Sequence, residues 1–226
     1  MTTDVRFSKN FVFEMTPLRK VITVVLTALF RLIMDLRVEG TEHFPMDGPA
    51  IVAANHVTNF DVFPLQMALP RPLFFMAKAE LFRNPLLDVL FRNLGAFPVY
   101  RGQRDEWALQ HARRVLEYGA VLGMFPEGKR SKGRGLSVGK TGAARLAIEM
   151  RVPIVPVAII GSDRFFKQFP RRTVVEVKIL PPLLAGADES PLELTERLMY
   201  TLAAALPKEM RGVYGDGDGE SGRGRG

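Results

Sequence analysis

The sequence predicts an α/β fold, a central mixed β-sheet flanked by helices, on three observations. From Asp35 onward, short apolar runs alternate with segments of helical period, the pattern of strands joined by covering helices. At 226 residues the chain has the length of one substantial domain. Its composition, 47% hydrophobic and 24% charged, can fill a core and still solvate a surface.

The elements follow in order. Residues 1–35 form a basic arm in which Phe7, Phe11, Phe13 and Phe30 are interleaved with Arg6, Lys9, Arg19, Lys20 and Arg31, and two short helices parted near Pro17 are expected there. The first twenty residues are mixed in polarity and give no cleavable signal. The apolar segment Val21–Met34 has fourteen residues interrupted by Arg31. A transmembrane helix needs about 20, so an interfacial or buried helix suits it better.

Residues 36–212 are the expected globular domain. Its predicted strands are IVAAN, LFFMA, AFPVY, VLGMF, IVPVAIIG and TVVEVKIL, and its predicted helices Val62–Leu69, Pro85–Leu94, Asp105–Tyr118, Lys140–Met150 and Pro191–Leu206. In the third helix Ala108, Ala112, Val115 and Leu116 fall at i, i+4, i+7 and i+8, a core-facing stripe. Pro156 is expected at a strand edge or bend that shapes the pocket. Residues 213–226 include the polar run GDGDGESGRGRG and are expected to be a disordered, solvated tail.

The net charge of +7 favours polyanions: nucleic acid, anionic lipid head groups or phosphorylated small molecules. With no cysteine, disulfides, thiolate metal sites and a cysteine nucleophile are excluded. The three histidines have no clustered partners, so no metal site is expected, and His43 and His111 receive no catalytic role.

Two segments carry chemistry. In NHVTNFD, residues 55–61, His56 follows a predicted strand and Asp61 opens the next helix, with Asn59 available as its N-cap. The short loop can fold the carboxylate back onto the ring, the base-plus-orienter half of an acyl-transfer site. Taken alone, the pair is better explained as a satisfied loop histidine and a carboxylate complementing a helix dipole. In FPEGKRS, residues 125–131, and the following KGRGLSVGK, glycines at 128, 133, 135 and 139 permit close backbone approach, while Lys129, Arg130, Lys132 and Arg134 offer charge to a phosphate. This is not a P-loop, because RGLSVGKT is one residue short of the required spacing.

These segments resemble the conserved blocks of a family. NHVTNFD is similar to the NHxxxxD block of glycerolipid acyltransferases, GAFPVYR (95–101) to the block ending in arginine, FPEGKRS to FPEGxRS, and IVPVAI (154–159) to the apolar block around a proline. They occur in the family's order over about Gly40–Gly161, with MAKAEL (76–81) similar to a further segment between the first two. The chain thus resembles acyltransferases of the 1-acylglycerol-3-phosphate acyltransferase (lysophosphatidic acid acyltransferase) type.

The resemblance implies a glycerol-3-phosphate acyltransferase-like fold with a membrane-associating N-terminal arm. It implies transfer of a fatty acyl group from acyl-CoA or acyl carrier protein to the free hydroxyl of 1-acylglycerol 3-phosphate, without a cofactor and without nucleic acid. His56 would be the general base and Asp61 its orienter. Arg101 and Arg130, then Lys78, would bind the phosphate, with Gly128 and Lys129 also on the substrate side; Glu127 would orient the acceptor or its own loop by hydrogen bonding, and backbone amides of the glycine-rich turn after it would meet the oxyanion. Lys129 stands where the family often has threonine, which bears on acceptor choice, and Thr58 where it often has serine. Peripheral attachment to an anionic membrane at the cytoplasmic face is the expected location. Glycerol 3-phosphate or another lysolipid as acceptor, and a non-catalytic protein that binds anionic lipid, are the alternatives.

Overall fold

The computed structural model describes residues 4–6, 11, 13–14, 16–100, 105–165, 167 and 170–215. Seven strands form one sheet: β1 (Met34–Glu39), β2 (Ala50–Ala54), β3 (Leu73–Lys78), β4 (Ala96–Val99), β5 (Val121–Met124), β6 (Ile154–Ile160) and β7 (Thr173–Ile179). The helices are α1 (Pro17–Ile33), α2 (Val62–Ala68), α3 (Pro85–Asn93), α4 (Glu106–Glu117), α5 (Gly142–Met150) and α6 (Pro191–Ala205). Across the sheet the order is β1-β7-β6-β2-β5-β3-β4. β2 to β6 pair in parallel, whereas β7 is antiparallel to β6 and parallel to β1, so the sheet is mixed as expected.

Both faces are covered, which explains the apolar strands at the centre. β2 is buried at every position, and AIVAA has no polar residue to turn outward. On one face Ile51, Ala53 and Leu122 pack against α4, α5 and α6 through Val115, Ala144, Leu198 and their neighbours. On the other, Ala50, Val52 and Ala54 meet Leu65 and Ala68 of α2 and Phe30 at the end of α1. The helices after the adjacent strands β2 and β5 therefore leave on opposite faces. That divergence opens a crevice at the carboxyl ends of the strands, the usual ligand position in such sheets.

Two expectations need correction, and a third is covered only in part: of the two helices expected in the arm the second is α1, where Thr16 caps by accepting from Arg19 N at 3.1 Å and Pro17 takes the first turn, while the first falls mostly outside the described residues. Pro is favoured at that position because its missing N–H would have no partner anyway. The strand β1 follows α1 without a break and includes residue 35; its charged MDLRVE pattern gives a weak apolar signal. Pro156 lies inside the sheet, opposite Ala53 of β2, and not at an edge. It is tolerated because its nitrogen faces the gap between β7 and the bridge from Ile154 to Leu183, while its carbonyl accepts from Leu180 N at 3.0 Å.

The ordered chain also runs slightly past 212. Gly212–Tyr214 make a 3₁₀ turn, and the Tyr214 hydroxyl accepts from Gly139 N at 3.1 Å; the rest of the expected tail, 216–226, lies outside the described residues.

α1 is docked by one face only. Phe30 stacks on Phe63 at 4.1 Å, and the buried Arg19 lies over the Phe74 ring at 4.6 Å. Leu18, Val21, Val24, Val25, Leu29 and Leu32 are all at least half exposed. No described helix is long and apolar enough to cross a membrane.

Candidate active site

The site begins where β2 ends. Asn55 extends the sheet with its side chain: its Nδ2 donates to Ile159 O at 2.9 Å, and its Oδ1 accepts from Ile159 N at 2.7 Å. This double bond to β6 replaces a backbone pair, so the chain can leave the sheet at His56 without orphaning a buried strand. Asn55 was not singled out from the sequence, although the motif begins with it.

His56 and Asp61 come together as expected. The His56 ring is nearly buried, and its Nδ1 lies 2.8 Å from Asp61 Oδ2. The same carboxylate oxygen accepts from Val57 N at 2.6 Å and Thr58 N at 2.9 Å, while Oδ1 accepts from Thr58 Oγ1 at 3.1 Å and Ser162 Oγ at 2.6 Å. Asp61 has no exposed surface, and these donors supply what water would otherwise give a carboxylate. Ser162 comes from the turn after β6. Gly161 makes that turn possible at φ +88°, where a Cβ would stand 2.4 Å from Val174 O.

Asn59 does not cap α2. Asp61 occupies the cap position, and the Thr58 hydroxyl accepts from Phe60 N at 3.0 Å instead. The Asp61 carboxylate turns back toward residues 56–58 because His56 and two amides there offer it more than the helix start does.

A second loop, after β5, grips the same histidine. Phe125 stacks on the His56 ring at 4.0 Å with the planes 18° apart. Glu127 accepts from His56 N at 2.9 Å through Oε1, and from Ser137 N at 3.0 Å and Ser137 Oγ at 3.2 Å through Oε2. Ser131 N donates to His56 O at 2.7 Å. Glu127 is buried with both oxygens committed, which makes it a tie between the two loops, the loop-orienting one of the two roles expected for it. Nor is Gly128 N free for an oxyanion, since it closes a turn onto Phe125 O at 2.9 Å.

Two recesses flank His56. One, of about 210 Å³, is lined by His56, Met76, Val99, Met124, Phe125 and Lys140 among others and is chiefly apolar. The other, of about 510 Å³, is mixed in polarity and includes Thr58, Arg130, Lys132, Ser162 and Lys167 beside Phe60 and Phe165. Arg130 and Lys132 make no ion pair among the described residues, and Lys167 stands 4.0 Å from Asp163. Lys129 is exposed and lines neither recess. Lys78, expected as a phosphate ligand, is exposed beside Glu80 at 3.3 Å and lines neither recess: the β3 terminus turns its ammonium to a neighbouring carboxylate. Arg101 lies outside the described residues. Lys132, Lys140, Ser137 and Ser162 complete the surroundings. Of these only Lys132 drew attention in sequence, because the others sit at spacings that no local pattern relates to His56.

The other histidines are elsewhere. His43 Nδ1 is 3.0 Å from Ile179 O. His111 is buried in an aromatic cluster, 4.5 Å from Phe97, 4.6 Å from Phe11 and 5.1 Å from Trp107 between ring centres. Burial, reinforced by the charges of Arg114 and Arg92, pushes its ring nitrogen down to about 4.

The α/β domain thus carries, at its carboxyl-end crevice, a histidine backed by a buried carboxylate, the pair that the sequence block placed five positions apart. The sequence profile of the family described as Acyltransferase matches residues 35–160, and the chain belongs to that family. Among its relatives is the 1-acyl-sn-glycerol-3-phosphate acyltransferase of Bacillus subtilis, 30% identical over 72% of this chain and 80% of that protein. Another is the human 1-acyl-sn-glycerol-3-phosphate acyltransferase alpha, 26% identical over 81% of this chain and 68% of that one. The chain spans about half the length, 52%, of the enzyme of that name from Borreliella burgdorferi, at 28% identity. The crystal structure of the 1-acyl-sn-glycerophosphate (LPA) acyltransferase from Thermotoga maritima superposes with a TM-score of 0.67 at 28% identity, covering 83% of this chain and 78% of that one.

Proposed function

We propose that the protein moves a fatty acyl group from an acyl thioester, carried by coenzyme A or acyl carrier protein, to the free hydroxyl of 1-acylglycerol 3-phosphate. The carrying observation is the position of His56: Asp61 engages its Nδ1 at 2.8 Å, so Nε2 is the ring nitrogen left for a substrate, and the ring borders the apolar recess while the cationic one adjoins Val57 and Thr58. A hydroxyl is a poor nucleophile near neutral pH. His56 removes its proton as the oxygen attacks the thioester carbonyl, a contribution of typically 10² to 10⁴ in rate. Asp61 fixes the tautomer and favours the imidazolium that forms.

The apolar recess suits the acyl donor's reacting end, and Arg130 with Lys132 and Lys167 suits the acceptor phosphate. Arg101, Lys129 and Gly128 remain proposed on the acceptor side through the family blocks. No cofactor is required, because the thioester is itself a substrate. The outward apolar face of α1, with Lys20 and Arg31 exposed beside it, supports peripheral attachment to an anionic membrane, proposed at the cytoplasmic face.

The test is incubation of the full chain with labelled acyl thioester and a panel of 1-acylglycerol 3-phosphate, glycerol 3-phosphate and other lysolipids. Product from 1-acylglycerol 3-phosphate and loss of it in His56→Ala are expected. Preference for glycerol 3-phosphate would overturn the acceptor assignment, and lipid binding without any transfer would overturn the enzymatic one.

A further inference from the structure

We propose that Lys140 is a further catalytic residue, whose ammonium receives the oxyanion that forms when the thioester carbonyl is attacked. The inference rests on the acyl-transfer reading above and adds a group outside the family blocks that suggested it. Lys140 is the only Lys, Arg, Asp or Glu lining the apolar recess that His56 borders, among the described residues. Its ammonium has no ion pair or hydrogen bond there, although the chain around it is tightly held, with Lys140 N donating to Pro126 O at 2.8 Å.

The path of the side chain is set by a glycine. A Cβ on Gly128 would stand 3.0 Å from both Cε and Nζ of Lys140, so the lysine stem runs directly over the bare Cα of that residue. The φ of +66° is the reason for Gly128 itself, since the flexible end of the lysine could yield to a Cβ. The arrangement brings a positive charge from an exposed side chain to the rim of a recess that is otherwise apolar. Once substrate fills the recess and excludes water, such a charge acts on a developing anion.

Two of the backbone donors expected for this task are already used. Gly128 N donates to Phe125 O at 2.9 Å, and Ser131 N to His56 O at 2.7 Å. In the reaction, the acceptor oxygen bonds to the carbonyl carbon and gives its proton to His56 Nε2. The carbonyl electron pair moves to oxygen, where Lys140 stabilises it. Collapse restores the C=O bond and breaks the C–S bond, and the departing thiolate takes the proton from His56.

The experiment follows thiol release and ester formation by the full-length protein in mixed micelles, comparing Lys140→Met, Lys140→Gln and Lys140→Arg with the parent. Loss of an oxyanion donor predicts a kcat about 100-fold lower in the Met and Gln variants. Both Michaelis constants should stay close to those of the parent, Lys140→Arg should recover part of the rate, and thermal stability should be unchanged. A kcat close to that of the parent in either neutral variant would overturn the proposal and leave the oxyanion to backbone amides such as those of Gly142 and Ala143. A loss confined to the acceptor Michaelis constant would also overturn it and move Lys140 to the phosphate site. If the parent acylates a different acceptor, the acceptor reading falls while the same comparison on that acceptor still decides the role of Lys140.

Discussion

Asp61 Oδ2 accepts three hydrogen bonds at once, from His56 Nδ1 at 2.8 Å, Val57 N at 2.6 Å and Thr58 N at 2.9 Å. The carboxylate that orients the histidine also shapes the loop on which the histidine stands. Replacing it should therefore injure both, and the two effects can be separated. His56→Ala is expected to remove acyl transfer with little change in melting temperature. Asp61→Asn should lower kcat and also destabilise the fold, because an amide cannot accept from all of these donors. Calorimetry beside initial rates checks the pair; a folded His56→Ala protein with near-parental turnover would sink the general-base role.

Glu127 ties His56 N to Ser137 through its two oxygens. In Glu127→Gln one oxygen becomes an NH2 group facing a donor, so a buried N–H loses its acceptor, at a cost of about 1–3 kcal/mol. The expected result is a lower denaturation midpoint together with a lower kcat. An unchanged midpoint would show that the tie carries little of the loop's order.

Arg130→Ala is expected to raise the Michaelis constant for the phosphorylated acceptor more than that for the thioester. A charge-assisted contact contributes roughly 1.5 to 3 kcal/mol, or about tenfold or more in affinity. Lys132→Ala should act in the same direction, since both line the recess beside Thr58. A rise in the thioester constant instead would exchange the two sides of the site.

His111 predicts a pH effect on stability. Burial holds it down to about 4 in the folded protein, against 6.5 unfolded. Between these values the unfolded chain binds a proton that the native state refuses, so stability is full above about 6.5 and declines as pH falls toward about 4, by on the order of 3 kcal/mol. His111→Phe keeps an aromatic ring in the cluster with Phe97 and Trp107 and should flatten that part of the profile. Urea titrations at stepped pH measure it.

Because Phe30 and Arg19 are buried and α1 leads straight into β1, deletion of 1–35 would remove core contacts. Polar replacement of Val21, Val25 and Leu29 on the exposed face is the cleaner test. It should weaken sedimentation with anionic liposomes while the melting temperature holds; undiminished sedimentation would place membrane contact elsewhere.

The sequence by itself determined the alternation of strands and helices, the His56–Asp61 pair and the family blocks, because each rests on local spacing. Six of the seven strands were legible as apolar runs; β1 was not, since its charged alternation depends on an edge position that only assembly creates. The tertiary structure decided which side chains meet. Ser162 reaches Asp61 across 101 positions and Glu127 reaches the His56 amide across 71. It also made Glu127 a buried tie between two loops and left Lys78 beside Glu80. These outcomes depend on β5 and β6 pairing on either side of β2, which brings their following loops together at one end of the sheet. Spacing within a segment can encode a pair that folds back on itself; contacts between segments are set by strand order and register, and no single segment contains them.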